Sequence, residues 1–318
     1  MRLDLTLVKP AERSAGIPCF SIIRNEAYFL PHFLRHYRSL GIENFIFYDD
    51  GSNDGSREYL CNQRDCTIVT SNFGFRQKMP NGRPFHYVVR TRIPEHFAKG
   101  GWSITVDADE FLLLPTRFAS LESLIAHLEA ENQLCAMGPM IDLYPATLAE
   151  RNFPIDAAPF TATHWWFDAE LPFQRTPGNF RITAVPRGVR LRLAKMLKER
   201  HPERFDDIFT KVTKHFIYSK LWKVPLLKTG QRIIRLDTHS VNAVAASDVQ
   251  LALAHFRFYP RLDAKIADAV ERGSYARGSQ EYRFLEAVIE LFENESLICK
   301  QSRRFEGAGS LEAEGLMF

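Results

Sequence analysis

Three times in the first 110 residues a short apolar run breaks off into acidic or amide side chains. Cys19-Phe20-Ser21-Ile22-Ile23 leads into Arg24-Asn25-Glu26, Phe45-Ile46-Phe47-Tyr48 into Asp49-Asp50, and Trp102 to Val106 into Asp107-Ala108-Asp109-Glu110. Runs this short, bounded by turn formers, read as buried strands. Between them the pattern turns helical. Tyr28–Leu40 tolerates Pro31 in its first turn and stops at Gly41, Ser56–Asn62 follows the dense turn Asp49–Gly55, and Phe85–Ala98 reads as a helix despite Pro94. Thr67–Thr70 is a further strand, 71–84 a loop, Ser120–Glu131 a helix and Leu134–Ile141 a strand. This alternation predicts an α/β fold with a mixed, mainly parallel sheet flanked by helices and right-handed crossovers. Ligands of such sheets bind beyond the carboxyl ends of the strands. Three strands are therefore predicted to deliver carboxylates to one edge.

The second half is less regular. Residues 143–188 hold six prolines and no clear period, which predicts a long ordered excursion over the site. Val189–Arg200 reads as a basic amphipathic helix with Val189, Leu193, Met196 and Leu197 on one face. Arg232–Leu236 and Leu251–Tyr259 read as strands, Arg261–Arg272 and Gln280–Phe292 as closing helices, and the last 15 or so residues as a loose tail.

At 45% hydrophobic and 12% aromatic residues, the chain is not a disordered one. A net charge of +3 is too balanced to imply nucleic acid. No apolar run reaches 18 residues, and the polar breaks in the first 16 argue against a signal peptide. Five cysteines without a CxxC pair argue against a disulfide scaffold or thiolate zinc site and fit a reducing cytosol. The charge is nevertheless uneven. From Arg187 to Arg235 there are 14 Lys/Arg against 4 Asp/Glu, or +10, which leaves −7 for the rest. Such a stretch is a solvated surface, an anion-binding acceptor site with Arg187, Lys220 or Lys223, or a contact with anionic membrane through Val189–Arg200.

Asp107 and Asp109 lie two apart in an extended segment, so both carboxylates can face one ligand. Two hard oxygen donors suit Mg²⁺ or Mn²⁺ shared with a diphosphate, against the plainer reading of a solvated acidic turn. Asp49 and Asp50, past the second strand, can accept bonds from a base or ribose, while Asp54 suits capping. Glu26 can reach the same nucleotide or simply charge a helix start. His255 sits between Ala254 and Phe256, where a packed core histidine is the plain expectation.

The order Ile22-Ile23-Arg24-Asn25-Glu26, Tyr48-Asp49-Asp50-Gly51-Ser52-Asn53-Asp54-Gly55-Ser56 and Trp102-Ser103-Ile104-Thr105-Val106-Asp107-Ala108-Asp109-Glu110-Phe111 resembles the GT-A-fold glycosyltransferases. It looks most like the bacterial branch of family 2 that also resembles family 92. Lys223–Lys228, Thr238-His239-Ser240, Ala254-His255-Phe256-Arg257-Phe258, Glu271-Arg272-Gly273-Ser274 and Gln280-Glu281-Tyr282 extend the resemblance over roughly 17–290. It implies one GT-A-like domain at 17–290, with a nucleotide-binding half (17–141), an acceptor-side half (142–290) ending in helices, and a tail at 291–318. It implies a nucleotide-sugar donor, a UDP-sugar by expectation, and Mn²⁺ or Mg²⁺. Asp109 would bind metal and Asp107 metal or ribose; Glu26 and Asp50 would contact the nucleoside. His255 would be a late metal or diphosphate ligand, with His239 competing for that role and Lys223 meeting the diphosphate.

The expected reaction is sugar transfer, with inversion, to a hydroxyl of a glycan or lipid-linked acceptor in polysaccharide biosynthesis. It would be cytoplasmic, with peripheral contact at the inner membrane face and no nucleic acid. The Glu-Asp pair that family 2 enzymes carry after the metal motif is absent here. For the base, Asp168 in Trp165-Trp166-Phe167-Asp168 ranks ahead of Asp142, with Glu170 third. The competing classes are a metal-dependent nucleotidyltransferase, which the missing Gly-rich basic loop disfavours, and a non-catalytic glycan-binding protein.

Overall fold

Each predicted strand–helix unit of the first half forms, because its strand is apolar on both faces and its helix on one. The computed structural model describes residues 5–74, 77–79, 82, 84–175, 182–209, 220–230, 233–237, 239–273 and 276–318. After β1 (Thr6–Lys9) come β2 (Pro18–Ile23), α1 (Leu30–Ser39), β3 (Asn44–Asp49), α2 (Ser56–Cys61), β4 (Cys66–Thr70), α3 (Phe85–Ala98) and β5 (Trp102–Thr105). There follow β6 (Glu110–Leu113), α4 (Leu121–Ala130), β7 (Cys135–Leu143), the short β8 (Trp166–Asp168), β9 (Phe173–Arg175) and β10 (Ile182–Ala184), and α5 (Val189–Arg200) with α6 (Pro202–Ile208). The chain ends with β11 (Trp222–Lys228), β12 (Ala252–Phe256), α7 (Leu262–Arg272), α8 (Ala276–Phe292), β13 (Ser302–Arg304) and α9 (Ala308–Ala313).

Nine strands make one sheet in the order β1-β4-β3-β2-β5-β11-β7-β12-β6. β4, β3, β2 and β5 run parallel. β11 is antiparallel to both its neighbours, as β1 is to β4 and β6 to β12. The sheet is thus mixed and mainly parallel, as expected: β4, β3, β2, β5, β7 and β12 point one way, and β1, β11 and β6 the other. Helices cover both faces: Leu30, Phe33, Leu34 and Tyr37 of α1 bury one stripe, and Phe85, Val88, Val89 and Ile93 of α3 pack against Phe20 and Ile46 on the other side.

Four expectations fail, each for a local reason. β11 was not legible as a strand because Pro225 lies in its middle, and proline cannot donate to a ladder. The register steps by three from Lys223 to Leu226 while β7 steps by two from Gly138 to Ala136, so Pro225 sits in a bulge where no ladder bond is required. Arg232–Leu236 is not a strand: Arg232 lies outside the described residues, and Ile233 and Arg235 make only isolated bridges to Gly230 and Val241. Asp142 does not follow a strand but lies inside β7, which runs on to Leu143. The C-terminal segment is no loose tail, since β13 pairs with β8, Leu311, Leu316 and Met317 are buried, and the Phe318 N–H donates to the Gln250 carbonyl. Residues ahead of 17 also join the sheet, as β1. The basic stretch at 210–219, Thr238 and Ser274 lie outside the described residues.

β7 serves two partners. Its first half pairs with β11, and from Met140 onward it pairs in parallel with β12. The changeover requires Gly138, because a Cβ there would stand 2.2 Å from the Leu251 carbonyl oxygen.

Candidate active site

Cross-strand register builds the centre of the site. On β12, His255 lies opposite Glu110 of β6 on one side and opposite Asp142 of β7 on the other. Directly paired residues point to the same face, so a carboxylate, an imidazole and a carboxylate form a row. Tyr37 of α1 pins the outer strand by donating to the Glu110 carbonyl (3.0 Å) and accepting from the Leu112 N–H (3.1 Å).

His255 Nδ1 stands 2.6 Å from Asp142 Oδ1 and 3.2 Å from Arg190 Nη2. A guanidinium can only donate, so the Nδ1 proton goes to Asp142. Arg190 grips the same carboxylate with Nε at 2.6 Å and Nη2 at 2.7 Å. The other ring nitrogen, Nε2, is 3.3 Å from Asp109 Oδ2. Burial alone would lower the His255 pKa, but Asp109 and Asp142 outweigh it and hold it at about 9. Against the same burial, Arg190 and His255 keep Asp142 well below the usual carboxylate range, and His255 keeps Asp109 low.

Asp107 faces elsewhere. Its Oδ2 takes the Lys223 ammonium at 2.6 Å, and Arg90 approaches Oδ1 at 3.7 Å. Lys223 also reaches both Glu110 oxygens, at 2.6 and 2.7 Å. Its charge is kept although the residue is only 3% exposed, because the two carboxylates more than offset desolvation. Among the described residues, the trio whose ligand atoms lie within 4.8 Å of one another is Asp109, Glu110 and His255. This differs from the predicted set of Asp107, Asp109 and His255: Glu110 belongs to the trio although Lys223 bonds both its oxygens, and Asp107, bonded to the same lysine, does not. Two carboxylates and an imidazole whose Nδ1–H is anchored on a carboxylate fit a divalent cation, with Nε2 as the ligand atom.

These groups open into a cleft of about 450 Å³ that reaches back to the ends of β2 and β3. No protein-family model matches the chain, and no curated protein matches it. Glu26 lines the cleft and is bonded to Lys265 of α7, which also donates to the Arg24 carbonyl at 2.5 Å. Burial, with Asp109 and Asp107 nearby, raises Glu26 to about 7 against the pull of Lys265. Asp50 also lines the cleft; burial pushes its carboxyl up while Arg272 and Arg24 pull it down. Asp49 does not reach the cleft. It is fully buried, accepting from the Ser52 N–H at 2.8 Å and from Arg57 Nε at 2.5 Å. Asp54 caps as expected, accepting from Ser56 N–H at 3.0 Å and from Ala27 N–H at 2.9 Å.

His239 lines the cleft as a neutral ring. Its Nδ1 donates to the Trp222 carbonyl at 2.7 Å, and burial with the Lys223 charge pushes its pKa down to about 4. Without a cation His255 therefore carries a proton on Nε2, which a metal would displace on binding, while His239 stays neutral.

The expected bases are not free in the cleft. Asp142 is committed to Arg190 and His255. Asp168 accepts from Arg192 and from the Tyr144 hydroxyl and lines, with Glu170, a separate pocket of about 30 Å³. Trp165, near Asp168 in sequence, is 1% exposed core. The apolar side of α5 likewise points inward, with Val189, Leu193 and Leu197 buried, so it is not a lipid-facing surface. Arg190, Glu110 and the Arg257–Glu281 pair were not singled out from the sequence. Only Glu110 carried a signal, as the residue directly after Asp109.

Proposed function

We propose that the chain is a metal-assisted glycosyltransferase of GT-A type, moving a sugar from a nucleoside-diphosphate donor, a UDP-sugar, to a hydroxyl of a glycan or lipid-linked acceptor. The observation that carries this reading is a single cleft with Asp109, Glu110 and His255 at one end and Asp50 with Glu26 at the other. A nucleoside has its hydrogen-bond acceptors at the strand ends of β2 and β3, and a diphosphate meets cations toward β12. Asp109, Glu110 and His255 would hold Mn²⁺ or Mg²⁺, which when bound offsets charge on the departing diphosphate. Asp142 and Arg190 orient His255, and Lys223 keeps Asp107 and Glu110 in place. Arg257 and Lys220 supply the remaining donors on the diphosphate side. An inverting course and a cytoplasmic setting belong to the same reading; the latter is supported by five free cysteines. With Asp142 and Asp168 committed to arginines and Glu281 to Arg257, Glu26, bonded to Lys265 yet raised to about 7, is the cleft carboxylate on which proton removal can draw.

The test is thermal stabilisation by UDP-sugars with and without Mn²⁺, since donor binding raises the melting temperature by linkage. A Mn²⁺-dependent rise in the parent protein, lost in an Asp109→Ala variant that still melts cooperatively, is the expected result. Stabilisation that ignores both Mn²⁺ and the substitution would overturn the reading.

A further inference from the structure

A second cavity, of about 310 Å³, lies across the Glu26–Lys265 pair from the cleft, between the turns after β2 and β3 and the face of α7. Its floor is aromatic. Tyr28 and Tyr259 stack with centroids 5.6 Å apart and planes 11° off parallel, and Phe29 lies 4.6 Å from Tyr259. The charges in its inner wall are already matched. Glu26 takes Lys265, Asp268 takes Arg24 at 3.3 Å, and the two Asp54 oxygens accept from Ser56 and the Ala27 N–H.

What remains is neutral. Asn25 Oδ1 accepts from the Asn53 N–H at 2.9 Å, and among the described residues Asn25 Nδ2 and the Asn53 side chain have no hydrogen-bond partner. Arg261 and Glu271 line the same cavity with opposite charges, neither in an ion pair among the described residues. An anion entering here would meet Glu26, Asp54, Asp268 and Glu271. An apolar ligand would leave the amides unpaired, at the cost of a buried polar group. A ring with C–H faces for the aromatic floor and hydroxyls for the amides and rim charges complements every group.

We propose that this cavity binds a neutral saccharide at a site distinct from the nucleotide cleft. Its role rests on the glycosyltransferase reading, in which the bound unit belongs to the acceptor glycan; Glu26, Tyr259 and Lys265 line both spaces and set the two ligands side by side.

The experiment is saturation-transfer NMR on the full chain with cellohexaose, maltohexaose and chitohexaose, alone and with saturating UDP and Mn²⁺. Transfer to at least one oligosaccharide, persisting with UDP present, is expected. Ala264→Trp, made from an exposed α7 position that lines the cavity, should abolish transfer while UDP binding is kept. Asn53→Ala, a smaller change, should weaken saccharide binding about tenfold, the loss of one good hydrogen bond. No transfer from any of the three, transfer that survives Ala264→Trp in a folded protein, or displacement by UDP overturns the proposal. Saccharide binding without any UDP binding would support this site and reject the nucleotide reading.

Discussion

Asp142→Asn separates a positioning role from a catalytic one. In the parent, the buried carboxylate accepts three short hydrogen bonds: His255 Nδ1 at 2.6 Å and Arg190 at 2.6 and 2.7 Å. An asparagine keeps the shape but turns one oxygen into a donor, and that donor must face either Arg190 or His255 Nδ1–H, both donors themselves. One hydrogen bond is lost and the buried guanidinium loses its nearest counter-charge. Removing one partner of a buried ion pair costs about 3–5 kcal/mol. In a chain of this size that lowers the melting temperature by roughly 5–15 °C. Releasing a metal-ligating histidine from its anchoring carboxylate weakens metal binding by about 10–100-fold. Calorimetric titration of Mn²⁺ with UDP present, beside thermal melts, reads both effects. Unchanged Mn²⁺ affinity in a destabilised variant would refute the positioning role. Unchanged Mn²⁺ affinity with transfer lost would instead restore Asp142 as the base.

The pH dependence of the apo protein follows from His255, whose pKa is about 9 folded and about 6.5 unfolded. A raised folded value means its stabilisation is complete below about pH 6.5 and is lost as pH rises through 9, up to roughly 3 kcal/mol; urea unfolding at both ends should show the fall, and His255→Gln should flatten it. Lys223→Met strands fully buried Glu110 and costs about 3–5 kcal/mol, while adding Glu110→Gln should recover part of the loss; equal stability of the single and double variants would reject this coupling. Leu311→Ala, at 0% exposure in the C-terminal segment, should cost about 2–5 kcal/mol by chemical denaturation, where a loose tail would show less than about 0.5 kcal/mol.

Local pattern was enough for β2, β3, β4, β5 and for α1 to α5, because each of these is decided within its own residues by apolar runs, caps and turn formers. Asp109 and His255, which a strand end and the resemblance single out, do lie side by side in the cleft. It failed wherever a partner strand decides. β6 is four residues long and exists only because β12 lies beside it. Pro225 hides β11 until β7 supplies the bulge. The role of Asp142 depends on its register with His255, a residue 113 positions further along the chain, and no spacing rule reaches that far. Asp168 was read from its aromatic neighbours, but its partners Arg192 and Tyr144 come from other elements.

The charge asymmetry shows the same dependence. A +10 stretch in an otherwise acidic chain invites an external anion, yet most of its described cations meet acids from elsewhere in the protein. Arg190 binds Asp142, Arg192 binds Asp168, Lys223 binds Asp107 and Glu110, and Lys228 binds Glu129. The surface members of this set, such as Arg200 with Glu295, contribute about 0–1 kcal/mol each. The buried ones act differently. Arg190 and Lys223 are held within the cleft, one on each side of the Glu110–His255–Asp142 row, and each fixes a carboxylate that β6, β7 or the turn before β6 presents. The excess of positive charge is therefore spent first on positioning acids inside the protein. What is left of the stretch facing the cleft, Lys220, is itself bridged to Asp237, as Arg257, just past β12, is to Glu281. On the glycosyltransferase reading, an incoming diphosphate would compete with those carboxylates for its cations, so Asp237→Asn should tighten UDP binding rather than weaken it. Weaker binding in that variant would mean that Asp237 holds Lys220 in position for the ligand instead of opposing it.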